Sequence, residues 1–105
     1  RDAIALADAH VGRLVAAVKA RAAYAREDWL ILLSTDHGRT ADGDHGGDTP
    51  EERAIFFLAS GPSAVVGTLP DTVHIVDVAV TALAHLGIAI DPAWNLDGKV
   101  VGLRR

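Results

Sequence analysis

An α/β fold is what the sequence predicts, and three observations carry that reading. Trp29-Leu30-Ile31-Leu32-Leu33 and Ala54-Ile55-Phe56-Phe57-Leu58-Ala59 are short, unbroken apolar runs bounded by turn residues. Runs of that length and bounding read as strands, and a strand apolar on both faces is typical of a parallel sheet. Residues 2–24 and 74–86 instead repeat their apolar positions with helical spacing. At 105 residues the chain is one domain at most, with a modest core.

Taken in order, the first element is an amphipathic, alanine-rich helix over 2–24. Ile4, Val11, Leu14, Val15, Val18 and Ala22 fall on one stripe, and Asp2 can cap the start. Arg26-Glu27-Asp28 connects it to a strand at 29–34. Helix then strand is half of a βαβ unit, whose first strand would precede Arg1. Residues 36–53 contain Gly38, Gly43, Gly46, Gly47 and Pro50, so they fold back as a loop. A loop of that length inside a domain is usually functional. Thr49-Pro50-Glu51-Glu52 reads as a capped turn, and 54–59 as a second strand beside the first. Ser60-Gly61-Pro62 ends that strand; Ala64-Val65-Val66 can form a short edge strand, with a turn over Gly67 to Asp71. Residues 74–86 form a helix with Ile75, Val76, Ala79, Val80, Leu83 and Leu86 inward and Gly87 past its end. The tail from Ile88 to Arg105 is expected to cover a sheet edge with Trp94, Leu96, Val100, Val101 and Leu103.

Composition narrows the function classes. A net charge of −4 and a pI near 5.6 argue against a nucleic-acid polymer as partner. No apolar run is long enough for a membrane span, and no signal peptide is visible. The chain begins with Arg1 rather than Met, and we expect it to be a piece of a longer protein; compartment and oligomeric state stay open. Without cysteine, a metal site must use oxygen and imidazole nitrogen. Acids crowd the segment 36–53 (Asp36, Asp42, Asp44, Asp48, Glu51, Glu52), which reads mainly as a solvated acidic loop whose repulsion bound cations would relieve.

The chemistry gathers at Ser34-Thr35-Asp36-His37-Gly38 and its echo Gly43-Asp44-His45-Gly46-Gly47. In open α/β sheets, ligands collect outside the carboxyl ends of strands, where Asp36 and His37 stand. Gly38 permits the bend that lets neighbouring side chains converge. A carboxylate and two imidazoles are ligand types that zinc takes in open sites, so Asp36, His37 and His45 are the candidate metal ligands. The competing readings are a hydrogen-bonded pair at a strand end for Asp36 and His37, and a plain loop histidine for His45. A single ion shared by all three is a further alternative. Arg39 reads as a solvated surface arginine rather than a phosphate ligand, and Asp44 as a turn former. Ser34 and Thr35 are hydroxyl residues tempting as nucleophiles, but they precede the ligands on the strand. His10, His74 and His85 lie on helices away from the corner.

These motifs, in their order and spacing, resemble the alkaline phosphatase superfamily, nearest to its type I phosphodiesterase/nucleotide pyrophosphatase branch. The strand ending in Asp36-His37-Gly38 is one part of the resemblance, and the glycine-flanked His45 another. Glu52-Arg53 with the strand to Gly61-Pro62, the helix from His74 to Ile88, and the turn at Asp97-Gly98 complete it. The superfamily usually has Pro where Val80 stands, a difference of helix geometry. The resemblance implies a three-layer α/β/α sandwich, of which residues 1–105 would be the C-terminal portion of one metallohydrolase catalytic domain.

By the same resemblance, Asp36 and His37 hold one divalent ion and His45 joins a second, zinc first and manganese second. The function implied is metal-dependent hydrolysis of a phosphate ester, a phosphodiester or nucleotide pyrophosphate, through a covalent phospho-enzyme. The superfamily's nucleophile and its remaining ligands have no counterpart in this chain, so no catalytic nucleophile is assigned here, and the piece alone is expected to be inactive. The substrate would be a small-molecule phosphate ester. Sulfatase, phosphomonoesterase or phosphomutase chemistry of the same superfamily is the alternative, and a non-enzymatic, cation-stabilised binding module is the other.

Overall fold

A computed structural model describes residues 2–69 and 72–104. Helix α1 (Asp2–Lys19) is followed by a 3-10 turn at Tyr24–Arg26 and strand β1 (Ile31–Ser34). A one-turn helix α2 (Pro50–Arg53), strand β2 (Phe57–Ser60), helix α3 (Ile75–His85) and a 3-10 turn at Pro92–Trp94 complete the order. Mixed α/β is therefore the class, with a two-stranded sheet among the described residues.

α1 ends five residues earlier than its apolar stripe suggests. Arg21 donates from Nε and Nη2 to the Glu27 carboxylate at 2.8 and 2.7 Å, and Trp29 Nε1 donates to Glu27 Oε2 at 2.7 Å. The Arg21 guanidinium also sits 5.3 Å from the centroid of the Trp29 ring. This clamp folds residues 21–27 back toward β1, so the helix cannot run on. α1 lays Val11, Val15 and Val18 over the sheet face that carries Ile31 and Leu33, with a cavity of about 270 Å³ between. Ile4 and Leu14, placed on the same stripe by spacing, stay exposed.

β1 and β2 pair antiparallel, Ile31 opposite Ser60 and Ser34 opposite Phe57. The expectation of a parallel sheet is overturned, and β1 is half-buried rather than covered on both faces. The reason lies in the connection. A parallel neighbour needs a crossover back to the starting end of the sheet. Here the Gly38 N–H donates to the Glu52 carbonyl at 2.7 Å, which returns the chain to the end of β1 where it left. From there β2 can only run back alongside.

Gly38 serves this return by its lack of a side chain. A Cβ there would lie 2.0 Å from the Glu51 carbonyl oxygen and 2.6 Å from that of Ala54. The bend was expected to need glycine's conformational freedom; Gly38 is absent from the positive-φ glycines, and close approach is what requires it.

α2 begins as its Thr-Pro-Glu-Glu sequence predicts. Thr49 and Glu52 form a reciprocal capping box, with Pro50 opening the helix. β2 starts at Phe57, three residues into the apolar run, and Thr35 Oγ1 accepts from the Phe56 N–H at 3.3 Å beside its start.

α3 and the tail are joined by polar side chains together with Val80 of the expected apolar stripe. Ile75, Val76 and Leu86 are exposed, while Asp77, Val80 and Thr81 are buried. Asp77 accepts from the His74 N–H at the helix start and from the Lys99 N–H of the tail, both at 2.8 Å. Burial opposes its charge, but these N–H donors hold the carboxyl below the ordinary range. Thr81 Oγ1 accepts from the Val101 N–H at 3.0 Å, and a Cβ on Gly98 would meet the Val76 carbonyl at 2.3 Å. Further on, Val65 N donates to the Gly102 carbonyl and Arg104 N to that of Ser63, at 2.9 and 2.8 Å, around a single Ala64–Leu103 bridge. That bridge is all that forms of the edge strand expected at 64–66. The turn expected over Gly67 to Asp71 lies partly outside the described residues. Val101 is buried as expected of the tail; Trp94, Leu96 and Val100 are exposed. Among the described residues, no helix is long and apolar enough to cross a membrane.

Gly38→Ala should cost about 3 kcal/mol or more in urea unfolding, because backbone oxygens rather than flexible side chains meet the new methyl. Gly12→Ala in α1, with nothing within 4 Å of its methyl, should instead raise stability by about 0.5–1 kcal/mol. Hydrogen bonds from Arg21, then Trp29, push the Glu27 carboxyl down from 4.5 to about 2. A depressed carboxyl stabilises the fold fully above its unfolded value and loses that contribution as pH falls through the folded one. The stability difference between wild type and Glu27→Gln should therefore be constant above pH 4.5 and vanish toward pH 2, measured by denaturant titration at each pH.

Candidate metal centre

The residues at the end of β1 are arranged by short local bonds. Asp36 Oδ1 accepts from the His37 N–H at 3.0 Å, and Asp36 Oδ2 lies 3.7 Å from His37 Nε2. His37 Nδ1 is 2.7 Å from the Gly38 carbonyl oxygen. A carbonyl can only accept, so Nδ1 is the donor, and in the neutral ring Nε2 is the nitrogen with a lone pair. That is the arrangement in which metal-binding histidines are held: one ring nitrogen donates to an oxygen and the other is free to coordinate. The Asp36 side chain is 88% exposed and that of His37 38%.

The loop then carries His45 back to the same corner. Thr40 N donates to the Asp44 carbonyl, Gly43 N to the Thr40 carbonyl, and Asp44 N to Thr40 Oγ1, each at 3.0 Å. Arg39 Nη1 donates to the Gly43 carbonyl at 2.8 Å, so this arginine braces the loop. Asp44 Oδ1 accepts from the His45 N–H at 3.0 Å, the turn-forming role expected of it. Gly46, at φ 92°, takes a left-handed conformation that a side chain would resist. The result is a stack: the His37 and His45 rings lie 4.9 Å apart, centroid to centroid, and 12° from parallel.

Asp36, His37 and His45 thus come together, as their spacing suggests. Among the described residues, however, no group of three or more acid and imidazole side chains is disposed to hold a single ion. Stacked rings present their nitrogens side by side, whereas a tetrahedral ion needs donors from different directions. The single-ion alternative lacks its shell here.

Two residues of the corner escape a reading of the motifs alone. Glu52 is only 7% exposed, and its carboxylate accepts from Gly47 N at 2.9 Å, Thr49 Oγ1 at 2.7 Å and Thr49 N at 3.3 Å. The Thr49 hydroxyl and the Gly47 N–H hold that carboxyl below the ordinary range against the effect of burial, and the nearby His45 acts in the same direction. The capping-box sequence announces Glu52 as a cap; nothing in it announces the bond to Gly47. His74, expected away from the corner, lines the same cavity of about 480 Å³ as Asp36, His37 and Arg53. The start of α3 faces the end of β1, a tertiary fact that helical spacing does not contain. His10 and His85 do lie elsewhere: His10 on the exposed surface of α1, and His85 donating from Nε2 to the Asp28 carbonyl at 2.8 Å.

Comparison with known proteins adds one relationship. No protein-family model matches the chain, and no solved structure matches it significantly. Two curated proteins do. Over 78 residues, 70% of the chain, it is 33% identical to the catalytic subunit of human GPI ethanolamine phosphate transferase 3. Over 67 residues, 60% of the chain, it is 31% identical to the mouse counterpart. The matched regions span 7% and 6% of those proteins' lengths. The relatives belong to the alkaline phosphatase superfamily, the one that the Asp36-His37-Gly38 and His45 motifs resemble; the similarity does not single out its nucleotide pyrophosphatase branch.

Proposed function

We propose that residues 1–105 form the C-terminal portion of the catalytic domain of a metal-dependent enzyme acting on phosphate esters, built as a three-layer α/β/α sandwich. The single observation that carries this reading is the His37–His45 stack beside Asp36 at the end of β1. Similarity to the phosphoethanolamine transferases supports the same class of chemistry. Asp36 and His37 would hold one divalent ion and His45 would join a second, zinc or manganese by the hardness of the donors. Such ions, when bound, activate an attacking hydroxyl and offset the charge on the phosphoryl oxygens.

The chain's own residues supply position. Donation from His37 Nδ1 to the Gly38 carbonyl leaves Nε2 of the neutral ring as the nitrogen with a lone pair. Asp36 adds an anionic oxygen on the same side. The attacking nucleophile belongs to a part of the protein outside these residues, as the superfamily resemblance implies.

Hydrolysis of a phosphodiester or nucleotide pyrophosphate is one form of this chemistry. Transfer to an alcohol is the second, and the relatives' activity as ethanolamine phosphate transferases favours it. The two differ in acceptor, water or hydroxyl, and not in the corner described here.

The test uses the full-length protein with a nitrophenyl phosphodiester, with and without an alcohol acceptor. Chelator should abolish turnover, and zinc or manganese should restore it. Asp36→Asn and His45→Ala should each lower kcat/KM by roughly a hundredfold or more, the scale of losing one preorganised electrostatic contact. A phosphorylated alcohol among the products identifies transfer. Chelator-insensitive turnover, or variants within twofold of wild type, would refute the assignment.

A further inference from the structure

Glu52 touches both halves of the corner, and by different groups. Its main-chain carbonyl accepts from the Gly38 N–H at 2.7 Å, fixing the turn that carries Asp36 and His37. Its carboxylate accepts from the Gly47 N–H at 2.9 Å, two residues beyond His45, and from Thr49 through both the hydroxyl and the N–H. Three donors converge on two oxygens, which a carboxylate accommodates and an amide cannot, since an amide turns one acceptor into a donor. The fit is also steric: a Cβ on Gly47 would lie 2.6 and 2.8 Å from the two carboxylate oxygens, so the loop backbone rests directly on Glu52. The side chain is buried, whereas His45 and its loop are exposed. Rigidity at His45 therefore has to come from beneath, and Glu52 is the buried group that the loop rests on.

From this geometry we infer that Glu52 is a positioning residue: its carboxylate holds the Gly46-Gly47 limb so that His45 stays beside His37, while its backbone independently anchors the Asp36-His37 turn. The inference rests on the metal-centre reading above. It has an asymmetric consequence. Replacing the side chain removes the support of His45 and leaves the Gly38–Glu52 main-chain bond in place. The ion joined by His45 should weaken, and the ion held by Asp36 and His37 should not.

The experiment is zinc titration of the full-length protein by calorimetry, with His45 ring resonances followed by NMR. Glu52→Gln should lower the affinity of one of two zinc sites by about 10–100-fold, the usual effect of losing a supporting contact behind a ligand. It should shift the His45 ring signals and leave the second site unchanged. Glu52→Asp, which keeps the charge but is one methylene short, should recover part of the loss. A purely structural role would lower the melting temperature with both affinities and the His45 signals unchanged, and that result overturns the inference. If Glu52→Gln does not fold, Thr49→Val removes one donor to the carboxylate and should give a smaller weakening confined to the same site; equal weakening of both sites would overturn the inference. Failure of the metal-centre reading itself is distinguishable, because wild type would then bind no zinc that Asp36→Asn or His45→Ala removes.

Discussion

Close contact between Gly38 and the last turn of α2 is the constraint on which the rest depends. The Gly38 N–H reaches the Glu52 carbonyl at 2.7 Å, and the space around its Cα is filled by the carbonyls of Glu51 and Ala54. This approach returns the chain to the carboxyl end of β1 and sets β2 running antiparallel. It also places α2, and with it Glu52, under the loop that carries His45. The main-chain bond thus fixes a strand direction, and the Glu52 carboxylate beneath the loop supports the limb that carries His45 to His37.

Polar groups, more than apolar ones, hold the remaining parts in register. Among the described residues the buried hydrophobic ones are few (Ala64, Val80 and Val101), and the polar Glu52, Asp77 and Thr81 are buried as well. Each of the three accepts from backbone N–H groups: Glu52 from the loop, Asp77 and Thr81 from the tail. Buried acceptors of this kind are costly to leave unpaired, so they specify which segment lies against which. Many apolar side chains face outward, among them Ile4, Leu14, Phe56, Val66 and Leu86. The radius of gyration, 15.8 Å, exceeds the roughly 13 Å of a compact domain this long, in keeping with an open arrangement.

Much of this is legible in the residues and some is not, for physical reasons. Element identity is local: the apolar runs announce strands, and Thr49-Pro50-Glu51-Glu52 announces its cap. The corner is legible too, since Asp36, His37 and His45 meet through turns whose glycines and Asp44 are written in the sequence. Strand direction is not local. An apolar run is the same in a parallel or an antiparallel neighbour, and the deciding bond joins residues 38 and 52. The inward face of α3 also misleads, because spacing ranks Ile75 and Val76 above Asp77 and Thr81, while the tail's N–H groups make the latter pair the buried one. His74 belongs with these: only the packing of α3 against the end of β1 brings it into the cavity with His37.

The role proposed for Asp36, His37 and His45 is to hold divalent ions. Anomalous diffraction from crystals of the zinc-loaded full-length protein tests it most directly. Two peaks are expected, one at about 2.0–2.2 Å from an Asp36 oxygen and His37 Nε2, the other at about 2.0–2.1 Å from a His45 ring nitrogen. Zinc bound elsewhere, with no peak in coordinating reach of these three side chains, would contradict it.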